Sequence, residues 1–354
     1  MISILLPLLV SAIISLLSAY PAIRFAKKFN LIDDPKTNHH PKVIHQHPTP
    51  RGGGLAIFAS ILISSLVFIP LDPHLFAILL GASILVITGL IDDKYNLNPY
   101  YRLAIQFFAA SIPIISGIGI SFVTSPFGQG IIDLSNPQVS FQFLGETRSI
   151  WFISDLFALI WIVVIINFLN MGAKGVDGQL TGVVAIAAAT IAALSLRFSA
   201  DITEWPVIVL ALITTGSFLG FLPWHLYPQK IMPSFSGSNL GGYMLGVLSI
   251  LTTSKVGTLA LVLGIPLIDT GYTILRRVAS GKSPVWGDRG HLHHRLLDLG
   301  WSKSQVTYFY WAITAILGLI ALNLNAESKL YTIIGISLAL GGLILWLTHQ
   351  QKKS

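Results

Sequence analysis

Long apolar runs, separated by shorter polar segments, recur along the whole chain. Most are roughly 17–23 residues long, the length that a helix needs to cross about 30 Å of hydrocarbon at 1.5 Å per residue. Lipid offers no hydrogen-bond partner to a free backbone amide, so each run is predicted to be a helix. The pattern predicts eleven membrane spans, near residues 2–23, 54–70, 74–91, 103–120, 150–169, 180–197, 205–222, 239–253, 256–275, 305–323 and 330–347.

The composition agrees with a membrane protein. Hydrophobic residues make up 53% of the chain and charged residues 10%, which excludes an ordinary soluble domain. The first run is followed by basic residues instead of a small-residue cleavage site, so it is predicted to be a membrane helix and not a signal peptide. The absence of cysteine excludes disulfides and thiol ligands. We expect one all-α, polytopic integral membrane domain over residues 1–354.

The basic residues predict the orientation of this domain. With eleven spans, the loops on the side of the C-terminus hold 18 of the 22 lysines and arginines. Because basic loops stay in the cytoplasm, the C-terminus is predicted to be cytoplasmic and the N-terminus outside. Segment 121–149 then lies outside, where its alternating residues predict a small hairpin. The His-rich loop 276–304 lies inside, on a basic face that favours anionic lipid headgroups and phosphorylated substrates.

An acidic pair, Asp92 and Asp93, closes the third span. Carboxylates at a bilayer edge are costly to desolvate, which makes them functional candidates. The pair could hold a divalent cation through oxygen, or one acid could act as a base while its neighbour holds the metal. The alternative is a solvated helix end without a role in chemistry.

A glycine-rich segment follows the fifth span. Asn167 and Asn170 share a helix face there, and Lys174 and Asp177 could contact phosphate, a metal or each other. A glycine-rich turn with a surface ion pair is the alternative. Further along, the small residues 234–238 could present amide donors to an anion or form an ordinary helix entry.

The densest group of candidate side chains lies in loop 276–304. Imidazole and guanidinium groups are natural phosphate ligands. Three histidines could instead hold Zn²⁺, although no carboxylate-rich surroundings are evident and an arginine intervenes. The group comprises Asp288, Arg289, His291, His293, His294 and Arg295.

A transporter is the alternative class for a chain with so many spans. Transporters usually place polar groups near mid-membrane in broken helices. Here the polar groups gather at one face, and the span interiors are nearly free of charge, with Asp155 and Asp269 as the main exceptions. That distribution favours chemistry at the membrane surface over translocation.

Several short motifs follow one another in a recognisable order. They are 33–35 with 50–53, 89–93 with Leu97, Arg102, Leu103 and Gln106, then 219–222, 230–231, 236–238, 266–270 with 276–277, and 283–284 with 288–295. Together they resemble the polyprenyl-phosphate N-acetylhexosamine-1-phosphate transferases of glycosyltransferase family 4. The likeness is greater to the branch that uses UDP-N-acetylglucosamine than to the muramoyl-pentapeptide branch, and it covers about residues 20–310.

The resemblance implies a reaction that depends on Mg²⁺ or Mn²⁺, in which a lipid phosphate attacks the β-phosphorus of a UDP-sugar and UMP leaves. Phosphoryl transfer of this kind needs mainly positioning and cationic stabilisation. By the same resemblance the catalytic carboxylates are Asp92, Asp93 and Asp177, and the metal ligands are Asp93, Asn170 and Asp177. The substrate-binding residues would be Asn170, Lys174, Asp288, Arg289, His291, His293, His294 and Arg295.

Two positions depart from the family pattern. The acid-Gly-x-Asp-Gly run after the family's asparagine begins here with Lys174, one residue farther from Asn170. The aspartate of the Gly-Asp-Ser-Gly-Ser run, a principal Mg²⁺ ligand, is Phe235 here. An aromatic ring cannot coordinate this metal, and the two changes make the site more positive by three charges.

Three hypotheses explain these departures. The remaining ligands could bind Mg²⁺ more weakly, or the Lys174 ammonium could replace part of the metal's charge. The third hypothesis is a non-catalytic relative that binds lipid phosphate or nucleotide-sugar.

The resulting expectation is an enzyme of the bacterial cytoplasmic (inner) membrane. It would transfer N-acetylhexosamine-1-phosphate, with GlcNAc-1-phosphate as the first candidate, to undecaprenyl phosphate and so start a cell-envelope polysaccharide. The expected partners are a UDP-sugar, polyprenyl phosphate and membrane lipid, without nucleic acid. The sequence leaves open the sugar, the polymer and the choice between monomer and homodimer.

Overall fold

The structure is a computed structural model that describes residues 2–36, 44–125, 127–128, 130–143, 146–198, 204–252, 255–283 and 289–351. Most of these residues are helical. The helices are α1 (Ile2–Lys28), α2 (Gly54–Phe68), α3 (Pro73–Tyr95), α4 (Pro99–Ile115), α5 (Phe152–Gly172), α6 (Gln179–Ser195), α7 (Trp205–His225), α8 (Ser234–Leu251), α9 (Lys255–Val262), α10 (Gly264–Ala279), α11 (Leu292–Asp298), α12 (Lys303–Asn323) and α13 (Ala326–Gln351).

Strands form three short antiparallel pairs in the described part of the chain. The first pair, β1 (Ile32–Asp33) with β2 (Thr49–Pro50), precedes α2. The other two pairs lie between α4 and α5, within segment 121–149 and its edges. They are β3 (Phe122–Thr124) with β4 (Ile131–Asp133) and β5 (Gln138–Phe143) with β6 (Glu146–Trp151).

Six of the described helices are long and apolar enough to cross a membrane, namely α1, α3, α5, α7, α12 and α13. The bent pair of α9 and α10 would make a seventh span, and α2 and α6 are shorter apolar helices. Large apolar side chains on the outer helices are exposed, among them Leu17 on α1 and Leu338 on α13. The prediction of an all-α, multi-pass membrane protein is confirmed.

A sharp bend divides the ninth predicted span, 256–275. The helix axes on the two sides of Leu263 differ by 82°. Pro266 lies in the first turn of α10, where its missing N–H costs no helical hydrogen bond. One apolar run in the sequence is therefore two helices in the structure.

The helix α8 lies at the centre of the bundle. Nearly all of its residues are buried, and it packs against α2, α3, α5, α6 and α9. Its many glycines and serines suit close helix packing within a membrane, where small side chains let backbones approach. This packing brings the first turn of α8 against the last turns of α3, where the candidate site begins.

Candidate active site

The last turn of α3 carries the predicted acidic pair, and both side chains are buried. Asp92 accepts a hydrogen bond from the backbone N–H of Leu97 at 2.9 Å, and both its carboxylate oxygens lie 3.3 Å from Nη1 of Arg102. The chain turns back here because Asn96 adopts a left-handed conformation (φ 50°) and Pro99 opens α4. The first turn of α4 therefore returns Arg102 to the end of α3.

The first residues of α8 donate hydrogen bonds to Asp93. Its Oδ1 accepts from the hydroxyl of Ser234 and from the N–H of Phe235 at 3.1 Å, and its Oδ2 accepts from the hydroxyl of Ser236 at 3.2 Å. A helix N-terminus carries unpaired amides and a partial positive charge, so it stabilises a carboxylate. The small residues 234–238 do present donors to an anion, and that anion is Asp93.

Gly89 lets α3 and α8 approach closely enough for these hydrogen bonds. It lies one helical turn before Asp93, and a Cβ at this position would come within 2.4 Å of Ser236 Cα. Any side chain at residue 89 would therefore push the two helices apart.

The aromatic ring of Phe235 is in contact with two cationic side chains. The Nζ of Lys174 lies 3.5 Å from the ring centroid, and the guanidinium carbon of Arg102 lies 4.5 Å from it. Both distances are within the range of a cation–π interaction, which extends to about 6 Å. The ring thus gathers positive charge at the position where the resemblance implies an aspartate.

Lys174 is half-buried in the segment that joins α5 to α6. Burial lowers the pKa of its ammonium group, the negative charges of Asp93 and Asp92 oppose this effect, and Arg51 and Arg102 add to it. The resulting pKa is about 7. The positive charge on Lys174 therefore changes near neutral pH.

Two asparagines of α5 connect this helix to the first turns of α8, Asn170 directly and Asn167 through Gln106 of α4. Asn170 Oδ1 accepts a hydrogen bond from the hydroxyl of Ser238 at 3.0 Å. Asn167 Nδ2 donates to Gln106 Oε1 at 2.7 Å, and Gln106 Nε2 donates to Asn239 Oδ1 at 3.4 Å. These contacts fix the end of α5, from which the Lys174 segment departs.

The side chain of Asp177 contacts the segment after α7 and the start of α12. Its Oδ2 accepts the N–H of Gln229 at 3.3 Å, and its Oδ1 lies 3.6 Å from Nζ of Lys303. Its backbone carbonyl accepts the hydroxyl of Thr307 at 2.7 Å. Asp177 is thereby held against α12, and the described contacts do not join it to the Asp92–Asp93 pair.

His291, immediately before α11, is paired with a buried carboxylate. Its Nδ1 lies 2.9 Å from Oδ2 of Asp269, whose Oδ1 accepts the N–H of Leu292 at 2.8 Å. Its Nε2 is buried and has no hydrogen-bond partner among the described residues. Asp269 was not among the predicted site residues, although the sequence marked it as an acid inside an apolar span and within the motif 266–270.

The histidine cluster, which comprises His291, His293 and His294, is buried and its rings are in contact. The rings of His291 and His293 are stacked with centroids 5.6 Å apart, and the His294 ring lies 4.4 Å from that of His293. A Cβ on Gly175 would lie 2.1 Å from the His293 ring. The segment that carries Lys174 therefore packs directly on the histidine cluster.

The remaining predicted residues of loop 276–304 have different environments. Arg295 is buried, and its Nε donates to the carbonyl of Gly290 at 3.0 Å. Arg289 pairs with Asp298 at 2.7 Å on the surface, where the two side chains are 44% and 40% exposed. Asp288 lies outside the described residues.

The predicted Mg²⁺ ligands do not fit a divalent cation in this arrangement. Asp93 already accepts three hydrogen bonds, Asn170 accepts one from Ser238, and Asp177 faces the ammonium of Lys303. Two cationic side chains cover the ring of Phe235, which the resemblance predicts to be an aspartate. Within the described ranges, no three His, Asp or Glu side chains are grouped to hold a metal ion.

Known proteins are similar to this sequence over most of its length. A probable undecaprenyl-phosphate N-acetylglucosaminyl 1-phosphate transferase from Bacillus subtilis (strain 168) is 30% identical over 336 residues, 93% of this chain and 87% of the relative. A decaprenyl-phosphate N-acetylglucosaminephosphotransferase from Mycolicibacterium smegmatis is 30% identical over 300 residues, 76% of this chain and 70% of the relative. A phospho-N-acetylmuramoyl-pentapeptide-transferase from Caldanaerobacter subterraneus is 28% identical over 299 residues, 80% of this chain and 85% of the relative.

The model of one family, described as Glycosyl transferase family 4, matches residues 75–253. This range holds the acidic pair at the end of α3, the Lys174 segment and the first turns of α8, which contact one another in the site. With a match over about half of the chain and a relative aligned over nearly all of it, the chain belongs to glycosyl transferase family 4.

Proposed function

We propose that the protein transfers N-acetylglucosamine-1-phosphate from UDP-N-acetylglucosamine to undecaprenyl phosphate and releases UMP, so that a cell-envelope polysaccharide can begin. One observation carries the proposal. The segment of Lys174 contacts both the cation-covered ring of Phe235 and the histidine cluster, so groups suited to phosphate surround one place. The Bacillus and Mycolicibacterium relatives are named for N-acetylglucosamine phosphate transfer with polyprenyl phosphates, which supports this substrate pair.

In the proposed reaction, an oxygen of the lipid phosphate forms a bond to the β-phosphorus of the UDP-sugar. The bond from that phosphorus to the bridging oxygen breaks, and the oxygen leaves on UMP with its electron pair. Atoms and charge balance without an oxidant or reductant. Such a transfer depends on aligning the two phosphates and on stabilising the charge that spreads over their oxygens.

The proposed roles follow from the environment of each side chain. Asp92 and Asp93 accept the proton of a lipid phosphate that arrives protonated, and they orient the cations beside them. His291 offers its buried Nε2 to a phosphate oxygen, and Asp269 positions the ring. Asp177 acts as a positioning residue through Lys303. The nucleotide-sugar is bound by Asn170, Lys174, His293, His294 and Arg295.

We also propose that the chain crosses the bacterial cytoplasmic membrane eleven times, with α2, α4, α6 and α8 as the additional spans. The N-terminus and segment 121–149 lie outside, and the site and the C-terminus face the cytoplasm. Because the chain has no cysteine, single introduced cysteines can test this topology without background. An impermeant maleimide should label Gly128→Cys in intact cells and Lys282→Cys only after the membrane is opened; the reverse pattern excludes this orientation.

The test of the function is UMP release by the full chain, purified in detergent, with UDP-N-acetylglucosamine and undecaprenyl phosphate. We expect UMP and a lipid-linked sugar diphosphate in equal amounts, and neither product from Asp92→Asn. UDP-N-acetylgalactosamine as a second donor reports the choice of sugar. If no donor yields UMP while the Bacillus relative does so in the same assay, the proposed function is wrong.

A further inference from the structure

The two residues that depart from the family pattern contact each other. Lys174 replaces an acid and Phe235 replaces an aspartate, and the Lys174 ammonium lies 3.5 Å from the Phe235 ring centroid. The two positions are far apart in sequence and lie on different elements. Because they are in contact, the two side chains act as one unit of the site.

A second cation and two carboxylates adjoin the pair of Lys174 and Phe235. Arg102 lies over the same ring at 4.5 Å, and its Nη1 lies 3.3 Å from both oxygens of Asp92. Asp93 and Asp92 both act on Lys174 through their charges. Two organic cations therefore already balance the two negative charges that would attract a divalent ion.

The position of these cations suits a diphosphate. On one side they adjoin the acidic pair at the end of α3. On the other side, Gly175 next to Lys174 packs on the ring of His293, where a Cβ would come within 2.1 Å. A diphosphate bound to the histidine cluster thus lies within reach of Lys174, which is half-buried and keeps part of its surface accessible.

We propose that Lys174 and Arg102, held together on the ring of Phe235, bind the diphosphate of the UDP-sugar and stabilise the departing UMP in place of a divalent metal ion. The inference rests on the proposed function and deepens it. Lys174 and Arg102 are catalytic residues in this account, because they touch the reacting phosphates. Phe235 is a positioning residue that acts through the two cations.

During the transfer, the bond between the lipid phosphate oxygen and the β-phosphorus forms as the bond to the bridging oxygen breaks. Negative charge builds up on that bridging oxygen and stays on UMP. An ammonium and a guanidinium group fixed nearby stabilise this charge without a metal, because cations that are already in place need no reorganisation. No proton or electron has to leave the site for the step to balance.

The first experiment compares UMP release by the wild-type protein in EDTA and in Mg²⁺, with UDP-N-acetylglucosamine and undecaprenyl phosphate. We expect the two values of kcat/KM to agree within about threefold. We also expect no stoichiometric Mn²⁺ binding by electron paramagnetic resonance, a readout that does not depend on turnover. The Bacillus relative in the same assays shows how a protein of the family responds to EDTA.

Variants then test the ring and the cations in EDTA. Phe235→Leu keeps an apolar side chain and removes the π surface, and cation–π contacts of ordinary strength predict a loss of about tenfold in kcat/KM. Phe235→Tyr keeps the ring and should retain most of the activity. Lys174→Met should lose about a hundredfold. Lys94→Gln, which removes an exposed lysine next to Asp93 in sequence, is the matched control and should behave as wild type.

The possible outcomes separate this inference from the proposed function. UMP release that EDTA abolishes and Mg²⁺ restores, or stoichiometric Mn²⁺ binding, overturns metal-independent transfer and leaves the transferase activity standing. Full activity of a folded Phe235→Leu protein in EDTA overturns the role of the ring. No UMP release in either buffer overturns both proposals.

Discussion

Gly89→Ala tests the contact between α3 and α8 that holds the acidic pair. A Cβ at residue 89 would lie 2.4 Å from Cα and 2.6 Å from N of Ser236, both of which are backbone atoms. Ordinary van der Waals contact begins near 3.4 Å, so the first turn of α8 would have to move away by about 1 Å. A side-chain rotation cannot absorb such a shift.

The displacement can be converted into an expected loss of activity. Asp93 lies four residues after Gly89 on the same face of α3, so it experiences the same separation. The contacts from Phe235 N–H at 3.1 Å and Ser236 Oγ at 3.2 Å would stretch to about 4 Å, beyond hydrogen-bond range. Hydrogen bonds to a charged group contribute about 1.5–3 kcal/mol each, so losing both makes the present position of the Asp93 carboxylate less favourable by at least roughly 3 kcal/mol. In the proposed reaction only protein with Asp93 in that position turns over, so we expect kcat/KM to fall by about a hundredfold.

The assay is UMP release by Gly89→Ala beside Gly335→Ala. Gly335 lies in α13, and nothing surrounds its Cβ position within 4 Å. Both substitutions gain the same helix propensity, up to about 1 kcal/mol, so they differ mainly in the steric contact with Ser236. Unchanged kcat/KM in Gly89→Ala would refute the close approach of the two helices.

Three other predictions concern single charges. The pKa of Lys174, about 7, predicts that turnover falls as the pH rises through 7, because the ammonium loses its proton. Lys174→Arg stays charged and should keep its rate to about pH 9. Identical pH profiles for the two proteins would contradict this prediction. Asp269→Asn should lower kcat by about tenfold or more, because His291 loses the carboxylate at Nδ1, and the melting temperature shows whether a lower rate reflects unfolding. Arg289→Gln should change stability by less than about 1 kcal/mol and leave kcat unaltered, since its pair with Asp298 is exposed; a large loss of activity would instead place Arg289 at the substrate. The charged groups that act on Lys174, and that the pH comparison must leave intact, are Asp93, Asp92, Arg51 and Arg102.

The helices were predictable because an apolar run in lipid has to form its backbone hydrogen bonds within itself. The bend at Leu263 was not predicted, since hydropathy is continuous across residues 256–275, although Gly264 and Pro266 were a local signal for a new helix start. The short helix α11 was also missed. Its residues His293 to Arg295 were read as a loop because they are polar, and only tertiary packing buries them.

The acidic pair and the histidines could be chosen from the sequence by residue type and order. Their partners could not be chosen in this way. Asp93 accepts a hydrogen bond from Ser234, and His291 is hydrogen-bonded to Asp269. Each contact depends on which helices pack against each other. The contact of Asp177 with Lys303 likewise depends on how the helices pack. Sequence order therefore indicates candidate residues for the chemistry, whereas helix packing decides which of these residues lie together.

The contact between Lys174 and Phe235 limits how this site can change by mutation. Lys174→Asp alone would remove the nearer cation from the ring and add a carboxylate near Asp92 and Asp93. Phe235→Asp alone would bring a potential metal ligand against an ammonium. Neither single change restores the acidic pattern, and the effects of contacting residues do not add. We therefore expect either single substitution to give a less active protein, so that the site can exchange one form for the other only when both residues change together.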